Sequence, residues 1–115
     1  MSDSTVVKVD SSHSPQGSMG QKYLATGKSV SMRLWSEEPG KPRPATERAY
    51  ETVGYVVKGR AKLHLGDQVI TLEPGNSWVV PKGESHSYEL LEHFEAVEAT
   101  HPPAEIHDRD HDPVT

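Results

Sequence analysis

From Lys58 to His93 a turn signal interrupts the chain every eight to ten residues: Lys58-Gly59, Gly66-Asp67, Pro74-Gly75, Lys82-Gly83 and Glu92-His93. That interval is too short for helices of ordinary length and suits short strands. The segments between turns are rich in β-branched and aromatic residues. Strands are predicted at Val30–Trp35, Val53–Val57, Ala61–Leu65, Val69–Leu72, Trp78–Val80, Ser87–Leu91 and Phe94–Ala99. Alternation supports this reading. In Ala61-Lys62-Leu63-His64-Leu65 the apolar side chains share one face, and Lys62 and His64 share the other. Many short strands joined by Gly/Pro turns predict an all-β sandwich or barrel.

At 115 residues the chain has the length of one small domain. Its apolar residues concentrate in the middle, which divides it into three parts. Residues 1–22 form an N-terminal extension, with one β-like run at Thr5–Val9 followed by the polar linker Ser11–Gly17. Residues 23–103 form the barrel, and residues 104–115 form a flexible acidic tail. The run Thr5–Val9 is expected to pair with an edge of its own barrel or to cross to a second subunit. Glu37–Pro44 carries three prolines in six residues. It reads as an extended loop, after which Tyr50-Glu51-Thr52 re-enters the sheet.

Charge and composition exclude several functions. The net charge is −5 with no basic stripe, so a nucleic-acid partner is not expected. No apolar run is long enough to span a membrane, and Met1–Thr5 lacks the start of a signal peptide. A soluble, cytoplasmic protein is expected. With no cysteine, disulfides, thiolate catalysis and cysteine metal sites are excluded.

Two glycine-anchored segments carry a more specific pattern. The first reads Gly40, five residues, Thr46-Glu47-Arg48, three residues, Thr52, six residues, Gly59. The second reads Gly75, five residues, Pro81-Lys82-Gly83, two residues, His86. In order and spacing the pair resembles the two motifs of the cupin superfamily, over about Val30 to Pro103. The fifteen residues between Gly59 and Gly75 are similar to the gap in small bacterial single-domain cupins. The resemblance implies a double-stranded β-helix, or jelly-roll barrel. Together with the Thr5–Val9 run, it also implies a homodimer.

The resemblance further implies four metal ligands inside the barrel. The family places His, His and Glu where this chain has Thr46, Arg48 and Thr52; only His86 matches. Threonine hydroxyls replace imidazole and carboxylate poorly, and a permanently cationic guanidinium repels a metal ion. No metal and no cofactor is therefore expected. A register shifted by one residue would bring Glu47 and Glu51 beside His86 as a rebuilt site. The unchanged Gly40-to-Gly59 spacing speaks against that shift, and both carboxylates are expected to point outward.

In the family register Thr46, Arg48, Thr52 and His86 face one cavity. Tyr88 shares the face of His86, and Trp78 or Trp35 supplies an aromatic wall. That set suits a small carboxylate-bearing ligand, because arginine presents a planar fork of donors. Three readings stand together. The first is a metal-independent small-molecule binding protein. The second is a metal-dependent isomerase, dioxygenase or lyase. The third is an interaction module whose barrel is filled, with Arg48 paired to Glu98 or Glu51. For His86 a hydrogen-bonded interior imidazole is preferred over a general base. His64 is expected outside the barrel, His93 in a turn, and the His107–Asp112 tract in the solvated tail.

Overall fold

The computed structural model describes residues 6–14, 21–40 and 45–103. Eight antiparallel strands follow one another: β1 (Lys22–Thr26), β2 (Ser31–Glu37), β3 (Glu51–Lys58), β4 (Ala61–Leu65), β5 (Gln68–Leu72), β6 (Ser77–Val80), β7 (His86–Leu90) and β8 (Phe94–His101). They form a five-stranded sheet, β1-β2-β8-β3-β6, and a three-stranded sheet, β5-β4-β7. The all-β jelly-roll expectation holds, and each predicted strand lies within one or two residues of an observed one.

The differences fall at the N-terminal side. Lys22–Thr26 was not among the predicted strands. It pairs with β2 through an irregular register between Tyr23 and Thr26, so its alternation is broken and gives a poor period-two signal. Val6–Asp10 joins no strand among the described residues, and Ser11–His13 forms a 3₁₀ turn where a polar linker was expected. Asp10 caps that turn by accepting from the Ser12 amide. Thr5, the proline-rich Lys41–Pro44 and the acidic tail from Ala104 lie outside the described residues.

Alternation sets the inside of the barrel. Along β3, Thr52, Gly54 and Val56 point inward, while Glu51, Val53, Tyr55 and Val57 point outward. Along β8, Phe94, Ala96, Glu98 and Thr100 point inward. Val56, Ala61, Leu63, Leu72, Trp78, Val80, Phe94 and Ala96 make one buried apolar cluster. Each large member contributes about 1.5–3 kcal/mol by leaving water. Beyond Ala96 the inward face becomes polar: Glu98 and Thr100 meet Arg33 and Ser31 across β2. The apolar and polar stretches of this face meet at one cavity, which Phe94, Ala96, Arg33 and Glu98 all line.

Gly59 shows what the turns require. Its φ is +84°, and a Cβ there would strike the His93 carbonyl, so only glycine fits between β3 and β4. Gly40, the first glycine of the motif pattern, differs. It has no left-handed φ, and a Cβ would meet none of the described residues within 4 Å, so the pattern there is one of spacing alone.

Candidate functional site

The segment before β3 reaches the site through backbone pairing. Thr46 N–H donates to His86 O at 2.8 Å, and His86 N–H donates to Thr46 O at 2.9 Å. Gly83 N–H donates to Arg48 O at 3.0 Å. The two glycine-anchored segments are thus joined directly, which brings Thr46 and Arg48 alongside His86. Thr52 follows on β3, opposite Thr100, with both buried.

Thr46, Arg48, Thr52, Trp78, His86 and Tyr88 all line one cavity of about 310 Å³. Trp35 lines it as well. The His86 and Tyr88 rings stand edge to face at 5.7 Å, as two residues on one face of β7 should. His86 Nδ1 lies 3.0 Å from Glu84 O. Glu47 and Glu51 are not among the lining residues, and Glu51 points outward from β3.

The base of the cavity was not anticipated. Arg33 and Glu98 face each other across β2 and β8. Arg33 Nε donates to Glu98 Oε1 at 2.7 Å, with the residues 6% and 4% exposed. Trp35 Nε1 donates to the same oxygen at 2.6 Å. The guanidinium also lies 5.1 Å from the Trp35 ring centre and 5.2 Å from that of Tyr50, within cation–π range. Glu98, expected as a partner for Arg48, is instead held by Arg33 and Trp35. A period-two reading of Phe94-Ala96-Glu98-Thr100 would have turned Glu98 inward. Nothing local marks Arg33 as its partner, since 65 positions separate them.

Trp78 Nε1 donates to the Tyr88 hydroxyl at 3.1 Å. Burial, and then the negative charge of Glu98, push the Tyr88 phenol well above its usual range. The hydroxyl therefore keeps its proton and can donate. At the rim, His93 sits between two acids. Nε2 is 3.0 Å from Glu95 Oε2, and Nδ1 is 2.6 Å from Glu38 Oε1. The hydrogen bonds to Glu95 and then Glu38 raise its pKa.

Residues 33–106 match the family model of the cupin domain. The chain is a cupin. Among solved structures, this cupin is similar to KdgF from Halomonas sp., at 22% identity over 72% of this chain and 79% of that one, with a TM-score of 0.65. It is also similar to a cupin superfamily protein from Desulfitobacterium hafniense, at 25% identity over 70% and 74%, with a TM-score of 0.64. An RmlC-like cupin from Shewanella frigidimarina matches at 14% identity over 85% and 92%, with a TM-score of 0.71. The first and third, under 25% identical, speak for the fold alone. No curated protein matches the chain by sequence.

The family's metal does not fit this cupin's donor set. Its four ligand positions hold two hydroxyls, one guanidinium and one imidazole. Among the described residues, no three His, Asp or Glu side chains converge as ligands. A divalent ion beside His86 would also meet the charge of Arg48.

Proposed function

We propose that this cupin binds a small carboxylate-bearing organic molecule in its cavity without a metal ion. The observation that carries this reading is Arg48 at a family ligand position, lining the cavity with Thr46, Thr52 and His86. Arg33 is held by Glu98, and Arg48 brings a second guanidinium to the lining near His86. Two of the acids around the cavity are turned to histidines: Glu38 to His93 and Glu89 to His64. Guanidinium recognises carboxylate through paired, charge-assisted hydrogen bonds, and the hydroxyls and imidazole orient the remainder.

The cavity is near the lower end of the usual range for small-molecule sites, about 300–1,000 Å³. An open interior of this size argues against a barrel filled with its own side chains. A metal-dependent isomerase, dioxygenase or lyase needs donors that these residues do not supply.

The test is calorimetry on metal-free protein against a panel of mono- and dicarboxylates. Arg48→Ala should weaken binding by about tenfold or more, as expected for a lost charge-assisted hydrogen bond. Equal affinities in wild type and Arg48→Ala would sink the reading.

A further inference from the structure

Two polar groups in the cavity have hydrogen-bonding capacity that no described residue uses. The first is Glu98 Oε2. Glu98 is 4% exposed, and both side-chain donors that reach it meet Oε1. Among the described residues no fully buried side-chain oxygen or nitrogen lacks a partner. Oε2, which has none, is therefore reached from the cavity that Glu98 lines. The second is the proton of the Tyr88 hydroxyl. Its oxygen accepts from Trp78 Nε1, and its O–H has no acceptor among the described residues.

The sheet register places these two groups together. Gly54 on β3 lies opposite Glu98 on one side and Trp78 on the other, with neighbouring strands about 4.8 Å apart. The Trp78 indole covers Gly54, where a Cβ would strike its ring. The indole thus occupies the position next to Glu98, and its Nε1 holds the Tyr88 hydroxyl there. The influence of the Glu98 charge on the Tyr88 phenol agrees with this closeness.

We propose that the ligand of this cavity is a hydroxy acid whose hydroxyl bridges Tyr88 and Glu98, accepting from the Tyr88 O–H and donating to Glu98 Oε2. The proposal rests on the carboxylate reading above and adds the second group of the ligand. Chemistry selects the hydroxyl. A ketone accepts but cannot donate, which leaves Glu98 unmatched. An ammonium donates but has no lone pair, which leaves the Tyr88 proton unmatched. A second carboxylate is repelled by Glu98. Of these four groups only the hydroxyl answers both with one atom. Trp35, Tyr50, Trp78, Tyr88 and Phe94, five of the chain's seven aromatic residues, line the same space. They favour an acid with an apolar or flat body.

The experiment is calorimetry on metal-free wild type and Tyr88→Phe. The probes are lactate against propanoate, and 3-phenyllactate against 3-phenylpropanoate, phenylpyruvate and phenylalanine. In wild type a hydroxy acid should bind at least about tenfold more tightly than its deoxy, keto and amino counterparts. In Tyr88→Phe the ratio of hydroxy-acid to deoxy-acid affinity should fall toward one, whatever the absolute affinities of the variant. Deoxy acids that bind as tightly as hydroxy acids overturn this proposal and leave the carboxylate reading standing. So does a preference for phenylalanine or phenylpyruvate, or a hydroxyl preference that survives in Tyr88→Phe. Binding of none of the acids overturns both. The comparison within wild type does not depend on the variant folding.

Discussion

Arg33 and Glu98 stand opposite each other on adjacent strands and close a 2.7 Å ion pair at the base of the cavity. The pair is almost fully removed from solvent, and one carboxylate oxygen, Glu98 Oε1, takes both side-chain donors. Trp35 donates to the carboxylate, and the Trp35 and Tyr50 rings flank the guanidinium. A buried pair like this gives little net stability over an apolar replacement, but removing one member strands the other charge. Arg33→Met should therefore destabilise the fold by about 3–5 kcal/mol in urea unfolding. The double variant Arg33→Met, Glu98→Leu should recover a large part of that loss. A single-variant loss below about 1 kcal/mol would show that the pair is solvated.

Gly54 and Gly40 should respond oppositely to the same substitution. A Cβ at Gly54 would run into the Trp78 ring, whereas one at Gly40 would meet none of the described residues within 4 Å. Gly54→Ala is expected to cost about 1–3 kcal/mol by overpacking, and to loosen the Trp78–Tyr88 hydrogen bond. Gly40→Ala should change stability by less than about 0.5 kcal/mol. Thermal melts of the two variants check this, and similar shifts in both would contradict the packing described for Trp78.

His93 should make stability pH-dependent. Its hydrogen bonds to Glu95 and Glu38 raise its folded pKa above the ordinary 6.5. A raised pKa means that the imidazolium is favoured in the folded state. The contribution is then fully present below the unfolded pKa and is lost as pH rises through the folded value. The melting-temperature difference between wild type and His93→Gln should be larger at pH near 5.5 than at pH near 8.5. A difference that stays constant between those two conditions would contradict the geometry at the rim.

Chelation should change nothing. With Thr46, Arg48 and Thr52 at three of the four family ligand positions, EDTA should leave both the melting temperature and carboxylate binding unaltered. Loss of either on chelation, with recovery on adding back a divalent metal, would return His86 to the role of a ligand.

Much of the cavity lining was legible in the sequence because strand parity is a local property. The spacing from Gly40 to Gly59 and from Gly75 to His86 put Thr46, Arg48, Thr52 and His86 on one side, and Tyr88 followed two residues on. The structure places them all around one cavity. The first strand was not legible, because the irregular pairing between Tyr23 and Thr26 breaks the alternation on which such readings depend. The Val6–Val9 run shows the converse. β-branched residues are abundant there, but they pair with no described strand of their own chain.

The sequence by itself determined the strands, the turns, the motif spacing and the loss of the family's ligand set. Each strand, turn and single motif is encoded within twenty neighbouring residues. Only the tertiary structure decided which charges share the interior. Arg33 meets Glu98 because β2 pairs with β8, and Trp78 reaches the Tyr88 hydroxyl while its ring covers Gly54, the β3 partner of Glu98. Those relationships depend on sheet order and long-range register, which bring together residues far apart in the chain. Local alternation carries no record of them.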